Sequence, residues 1–402
     1  MLVEGERLTF LKRVVSMSEF SLSRMKKILL GLGLSLLFFG CQNQNASITQ
    51  DTTDNKGPIV IGAMTPLSGD VASIGTTLQK VTNMEIEKIN KEGGIKGRPV
   101  EIIWEDGKCN PADSSRVAQK LTGVDKVTFI LAAECSGGTL GAAPITEKKK
   151  VLLLSPVSTS PEVTNAGDFV FRTVPSDASQ GKALAEYANK KYTKVGMVVE
   201  QVDYAVALAQ VFEDNFDGEI VREDFTPAES DFKTRITKLK NSGVEALFLD
   251  VNVGQKFEIM LKQLQELEWE TPIFSNEVAP ALMEITSQYA DFLVAHELVS
   301  SNFVVPENAR LQNTIQVYEE KFGEKPEYLN YVAATIDAID VMKMAFNQAN
   351  DLTNAEEIRD ILYNTKDFPS IYGTLSFDMN GDVNITHSLF KFDGEKFVPL
   401  AE

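Results

Sequence analysis

The stretch Lys126–Pro161, KVTFILAAECSGGTLGAAPITEKKKVLLLSPVSTSP, constrains the fold of this chain more than any other. Its two apolar runs, Val127–Ala133 and Val151–Leu154, are short, unbroken and bounded by turn residues. That is the pattern of strands buried on both faces of a parallel sheet. Each run empties into small hydroxyl residues: Ser136-Gly137-Gly138-Thr139 after the first, Ser155-Pro156-Val157-Ser158-Thr159 after the second. Thr139–Lys149, between them, suits a crossover helix. In open α/β sheets, ligands sit beyond the carboxyl ends of the strands. There the bare N–H groups of a following helix, with nearby hydroxyls, suit a small anion such as a carboxylate. Either loop alone also reads as an ordinary Ser/Gly cap or turn. Two in succession on neighbouring strands favour a binding cleft.

The same alternation runs through most of the chain. Ile59–Met64 reads as a strand and Gly75–Glu92 as a helix stopped by Gly93-Gly94. Val100–Trp104 is the next strand, and Asn110-Pro111 caps a helix through Leu121. A short strand, Phe169–Thr173, follows the opening stretch, and the pattern then restarts. Asp177–Lys190, Tyr204–Phe216, Phe232–Leu239 and Lys256–Leu267 read as helices. Val195–Glu200, Glu219–Glu223, Ala246–Asp250 and Pro272–Ser275 read as the strands between them. Such alternation predicts parallel sheets covered by helices on both faces. A chain of 402 residues exceeds what one core usually serves, so two α/β lobes with a cleft between their carboxyl edges are expected. The last hundred residues read as mainly helical, over Ala309–Phe322, Leu329–Ala349 and Ala355–Tyr363. A tail of turns and strands follows, with Thr374–Phe377 and Ser388–Phe392 extended and a hairpin turn at Asp378–Asp382.

The formal net charge of −18 argues against nucleic acid as a partner, because phosphates need clustered Lys and Arg. One N-terminal segment stands apart. Met25-Lys26-Lys27 opens a basic region, and the 13-residue apolar run Ile28–Gly40 ends at Cys41. That run has the length of a secretory signal core and is short for a membrane span. Cys41 after Phe38-Phe39-Gly40 resembles a lipobox, although Phe38 stands where Leu is usual. Residues 1–24 then read as an upstream extension, 25–41 as a lipoprotein signal and 42–57 as a flexible tether. Of three Cys, one would carry lipid, which leaves Cys109 and Cys135 at the ends of predicted strands in an oxidising compartment. A disulfide between them is expected, with two unpaired thiols as the alternative. Two His without ligand spacing, and no CxxC, give no zinc site, and no cofactor or metal is expected.

Further residues carry a family resemblance. Ile61-Gly62-Ala63-Met64-Thr65-Pro66-Leu67-Ser68-Gly69 and Gly93-Gly94-Ile95-Lys96-Gly97-Arg98 stand in order with Glu105-Asp106, Cys109 and Cys135-Ser136. Phe171-Arg172-Thr173 with Asp177 and Gln180-Gly181 follows, then Gly373-Thr374-Leu375-Ser376-Phe377-Asp378 with Gly381-Asp382. From Pro58 to about Val398 this series resembles the type I periplasmic binding proteins for branched-chain amino acids, the substrate-binding subunits of ABC importers. The resemblance implies two doubly wound lobes joined by a three-crossover hinge. Residues 58–176 with 302–385 would form lobe 1, and 177–301 with 386–402 lobe 2. It implies that Ser136 holds a ligand α-carboxylate, that Val157, Ser158 and Thr159 grip the headgroup, that Tyr204 is a lid, and that Glu277 pairs with the α-ammonium. Glu277 read alone is also a solvated loop carboxylate. Ile74 replaces a frequent aromatic, and Asp250-Val251-Asn252-Val253-Gly254-Gln255 replaces a Tyr-bearing loop, so Asp250 and Asn252 could admit a polar or cationic side chain.

The expected function is that of an exported, lipid-anchored, monomeric protein. It would capture a free amino acid, branched-chain or aliphatic, and deliver it to an ABC permease and its ATPase. The alternatives are another small polar solute (an amide, urea or a short peptide) or a ligand-sensing receptor subunit. An enzyme is disfavoured: His296 and His387 lie in no catalytic motif, and Ser136 lies in Cys-Ser-Gly-Gly, not in GxSxG. The N-terminal reading makes a prediction of its own. Cys41→Ser releases the protein from membranes into the soluble exported fraction, and unchanged membrane retention in that variant rules lipidation out as the anchor.

Overall fold

The computed structural model describes residues 57–281, 283–303 and 307–400. The extension over 1–24, the signal over 25–41 with Cys41, and the tether except for Gly57 lie outside the described residues. Among the described residues, no helix is long and apolar enough to cross a membrane.

The chain begins β1 (Ile59–Thr65), α1 (Ala72–Lys91), β2 (Val100–Asp106), α2 (Pro111–Gly123), β3 (Phe129–Ala132), α3 (Ser136–Lys149), β4 (Leu152–Ser155) and β5 (Val170–Arg172). The five strands form a parallel sheet in the order β2-β1-β3-β4-β5. Period-2 side-chain alternation sorts them onto two cores. Ile61, Phe129, Leu131, Leu152 and Leu154 face one side with Ile86 and Ile89 of α1. Ile130, Ala132, Leu153 and Val170 face the other, against Val117 and Leu121 of α2 and Ala142 of α3. The unbroken apolar runs are therefore strands covered twice.

A second alternation follows: α4 (Asp177–Asn189), β6 (Lys194–Glu200), α5 (Asp203–Asn215), β7 (Glu219–Phe225), α6 (Lys233–Ser242), β8 (Ala246–Asp250), α7 (Gly254–Glu266) and β9 (Ile273–Ser275). Three short helices, α8 (Val278–Ala281), α9 (Met283–Gln288) and α10 (Ala290–Ala295), lead to β10 (Val299–Asn302). The chain then returns to the first sheet with α11 (Ala309–Phe322), α12 (Leu329–Gln348) and α13 (Ala355–Tyr363); Ile339, Met342 and Phe346 of α12 complete its first core. The pair β11 (Phe368–Ser370) and β12 (Gly373–Leu375) precedes β13 (Ser388–Phe392) and β14 (Phe397–Pro399). The second sheet runs β14-β13-β10-β9-β8-β6-β7. Helices cover this sheet on both faces too, α6 and α7 on one, α4 and α5 on the other. The chain thus passes between the sheets three times: after β5, after β10 and before β13.

Three local features depart from the sequence expectation. The second sheet is mixed, because β13 pairs antiparallel to β10, and β14 antiparallel to β13 across a turn held by Asp393. Strand β10 reads VSSN and shows no apolar run, yet Ser300 and Ser301 are fully buried. The Ser300 hydroxyl donates to Asn276 O at 2.6 Å, which removes the penalty for its burial. Helix α1 starts at Ala72, three residues before the glycine that the periodicity marks.

One buried cation fixes the parts of lobe 1 that carry the loops. Arg172, with no exposed side-chain surface, ends β5 and donates through Nε and Nη2 to Asp382 at 2.7 Å each. Its Nη1 donates to Thr159 O at 3.0 Å and Ser160 O at 2.9 Å, and Nη2 also reaches Thr164 Oγ1. Gly381 makes this approach possible, since at φ +78° a Cβ there would stand 2.3 Å from Val170 O. Removing one partner of a buried ion pair strands the other. Arg172→Ala is expected to cost about 3–5 kcal/mol, read from the midpoint of urea unfolding; an unchanged midpoint contradicts this role.

Candidate ligand-binding cleft

The carboxyl ends of β3 and β4 present two loops side by side. After β3, Cys135 takes the N-cap position of α3 in an extended conformation, with no side chain capping the helix. The first N–H groups of α3 are thus unserved by a side-chain cap, at the positive end of the helix dipole. Gly137 and Gly138 follow Ser136 there. A disulfide joins Cys135 to Cys109 in the loop after β2, with Cα atoms 5.0 Å apart. After β4, Ser155 Oγ accepts from Ser158 N at 3.0 Å and curls the loop back. Ser158 is fully buried; its hydroxyl donates to Glu134 O at 2.7 Å and lies 2.8 Å from Thr139 Oγ1. Ser158 therefore ties the two loops together and does not face the cleft. Ser136 Oγ accepts from Ser160 N at 3.2 Å, a second tie.

A cavity of about 290 Å³ lies between the sheets and takes residues from both. Four of the six ligand residues expected from the sequence line it: Ser136, Val157, Thr159 and Tyr204. Its remaining wall mixes aliphatic residues, Ile74, Val253 and Val278 among them, with the carboxylates of Asp70 and Glu327 and the amides of Asn252 and Gln255. Asp250 does not line it; this buried carboxyl accepts from Asn276 Nδ2 at 2.9 Å, and burial, against that bond, raises its pKa well above the usual range.

The sixth residue, Glu277, follows β9 and is fully buried behind the cavity wall. Its neighbour Asn276 locks the local backbone, donating to Val251 O at 2.8 Å and accepting from Val278 N at 3.1 Å. Three donors converge on the Glu277 carboxyl: Tyr204 Oη at 2.7 Å, Gln180 Nε2, and Tyr331 Oη at 3.0 Å. Tyr204 and Gln180 belong to the second lobe, on α5 and α4. Tyr331 belongs to α12, which packs on the first. The Tyr331 bond therefore crosses the cleft. Burial, and then the Glu277 charge, push the phenols of Tyr204 and Tyr331 well above the ordinary tyrosine range, so both stay protonated donors.

Beside Glu277 stands Asp177, the first residue of α4, whose N–H donates to Thr159 O at 2.8 Å. Both its carboxyl oxygens are buried without a hydrogen-bond partner. Burial and the neighbouring Glu277 raise its pKa well above the carboxylate range. His387 Nε2 lies 4.0 Å from Asp177 Oδ1, and burial with the nearby Arg172 pushes the imidazole down to about 3, so it is neutral. Ligand atoms of Asp177, Glu277 and His387 all lie within 4.8 Å of one another, a geometry that suits one small cation, ammonium or metal. Sequence reasoning quoted Asp177 and Gln180 only as markers of the first crossover, and His387 only as lacking a motif. Tyr331 sits in a helix whose apolar stripe reads as core, and nothing local marks it. His296, by contrast, bonds Phe292 O and Trp269 O and is structural.

Comparison with known proteins agrees with this architecture. The family model described as periplasmic binding protein matches residues 58–392. The Leu/Ile/Val-binding protein of Escherichia coli K12 is 27% identical over 335 residues, covering 81% of this chain and 87% of that one. Leu/Ile/Val-binding protein homolog 3 of Brucella melitensis is 27% identical over 357 residues, covering 85% and 93%. The crystal structure of a branched-chain amino acid transporter substrate-binding protein from Streptococcus pneumoniae, in complex with isoleucine, matches with a TM-score of 0.73. It is 26% identical and covers 85% of this chain and 100% of that one. With two sheets, three passages between them and a cleft at their carboxyl edges, the chain belongs to the periplasmic binding protein family.

Proposed function

We propose that the chain captures a free α-amino acid between its lobes and delivers it to an ABC importer. The observation that carries this reading is the Glu277 carboxyl, buried and surrounded by donors from both lobes, close to an uncapped helix N-terminus. A zwitterion needs both signs within one headgroup's reach. Its carboxylate would take the first N–H groups of α3, the Ser136 hydroxyl and Thr159. Its ammonium would take Glu277 with Asp177, whose two buried carboxyl oxygens have no hydrogen-bond partner. Such charge-assisted bonds in a closed cleft are roughly twice as strong as neutral ones. The aliphatic wall of Ile74, Val253 and Val278 fits a branched or aliphatic side chain, in keeping with the ligands named for the relatives. Binding without turnover, export through the N-terminal signal, and attachment through a lipid on Cys41 belong to the same reading.

Both lobes touch Glu277, so closure and binding are linked: a ligand shifts the hinge only through its differential affinity for the closed state. Isothermal calorimetry against the twenty amino acids tests the site. Glu277→Ala is expected to cost at least roughly tenfold in affinity, since stranding a buried charge costs about 2–5 kcal/mol. Undiminished binding in both Glu277→Ala and Ser136→Ala would put the site elsewhere. Tyr331→Phe removes only the bond that spans the cleft, and a hydrogen bond to a charged group contributes about 1.5–3 kcal/mol. Its affinity is expected to fall by roughly tenfold, with a smaller ligand-induced drop in radius of gyration by X-ray scattering. A variant that binds and closes like wild type shows that the phenol plays no part in closure.

A further inference from the structure

Glu134 has no part in the reading above. It precedes Cys135 and is fully buried, in the turn that starts α3. Its Oε1 accepts from Cys109 N at 2.9 Å and Cys135 N at 3.3 Å, the two half-cystines, while Oε2 has no hydrogen-bond partner. Two glycines make room for it. A Cβ on Gly107 would stand 1.8 Å from Oε2, and one on Gly138 would stand 2.2 Å from Glu134 Cγ. Ser114 Oγ borders the same spot, 2.7 Å from that Gly107 position, and gives its own proton to Gly107 O at 3.2 Å. It is thus free to accept. A neutral Glu134 can donate from Oε2 to Ser114; a charged one must draw the Ser114 proton away from Gly107 O or leave Oε2 buried and unpaired, and either is costly. The turn that holds this carboxyl also presents Ser136 and the N-terminal N–H groups of α3 to the cleft.

We infer that Glu134 is a positioning residue of the carboxylate site that works through a proton: a ligand carboxylate enters at Ser136 beside a neutral Glu134, so where the free protein carries Glu134 charged, binding brings one proton from solvent onto Oε2. This rests on the amino-acid reading of the cleft. In its neutral form Glu134 leaves the helix dipole to the ligand; in its charged form two anions compete for it. Burial already holds the Glu134 pKa up at about 8, supported by Asp106 and opposed by the two half-cystine N–H groups and by Ser114. The other charges around this turn are Lys108 in the loop after β2, Asp70 before α1, Glu200 at the end of β6, and Asp203 of α5, whose carboxylate lies against Gly137. The β4 loop brings only hydroxyls and backbone. The sign follows: an incoming anion raises the Glu134 pKa further, so affinity is full below the free-state value and falls as pH rises through it.

The test compares wild type with Glu134→Gln, and with Glu134→Leu as a second uncharged reference, using L-leucine and L-isoleucine as probes between pH 6.5 and about 9. The ratio of wild-type to variant Kd is expected near one at the acid end and to climb by up to roughly tenfold per pH unit above the free-state pKa. Calorimetry at the alkaline end, in two buffers of different ionisation enthalpy, is expected to show more proton uptake by wild type than by either variant. A flat ratio, or equal uptake, overturns the proposal. Thermal unfolding without ligand supplies an independent arm. A carboxyl whose folded pKa is raised loses stability as pH climbs from the unfolded to the folded value, so the variants are expected to gain on wild type across that window. A constant difference overturns the proposal. Should no amino acid bind wild type, the amino-acid reading fails, while the unfolding series still decides whether Glu134 carries its proton in the fold.

Discussion

The guanidinium of Arg172 holds together parts of lobe 1 that the sequence keeps far apart. From the end of β5 it grips the carbonyls of the loop after β4 and, 210 residues later, the carboxylate of Asp382. A planar cation with five donors serves this better than lysine could, because each donor has a fixed direction. With that loop fixed, Ser158 can bind Glu134 O, and the start of α3 is set against it. The end of the cleft proposed to take the ligand carboxylate is therefore assembled by hydrogen bonds wholly within lobe 1. It needs no ligand to take shape.

The other end is different in kind. Glu277 reaches its full set of donors only when α12 of lobe 1 stands over β9 of lobe 2, because Tyr331 supplies the third. One half of the site is thus preorganised, and the other half is completed by closure. That division is what a hinge requires if binding is to move it: contacts confined to one lobe would bind equally well open or closed and shift nothing. The neutral His387 and the buried Asp177 lie where the first and third crossovers pass, so the titratable groups behind the cleft and the geometry of the hinge share residues.

Much of this was legible in the chain. Val127–Ala133 and Val151–Leu154 announced doubly covered strands, and Ala309–Phe322 and Ala355–Tyr363 announced helices with the bounds the fold adopts. Such signals are local, since each is a run or a period. Strand β10 was not legible, because it has no apolar run and the burial of Ser300 is made tolerable by a carbonyl contributed from Asn276. Nor was the mixed second sheet, whose last strands join it only after a passage through lobe 1. In the cleft, Ser136, Thr159 and Tyr204 could be named from loop chemistry and resemblance. Tyr331 and Asp177 could not, because what marks them is a partner or the lack of one, at separations of 54 residues for Tyr331–Glu277 and 208 residues for the Ser179–His387 contact beside Asp177. Ser158 was named with the loop that grips the headgroup, and its hydroxyl serves there as a brace between the two loops.

The placement of β13 also bears on how the chain reaches this state. Strand β10 has β9 on one side and only β13 on the other. During synthesis the second sheet must therefore wait, with one row of β10 amides and carbonyls open, while about a hundred further residues are made and folded onto the first sheet. That exposed edge carries Val299, Ser300 and Ser301, a short and partly polar strand, which offers a passing chain little to pair with. The polar character that hid β10 from a hydrophobic reading thus also makes its open edge a poor template for edge-to-edge association until β13 arrives.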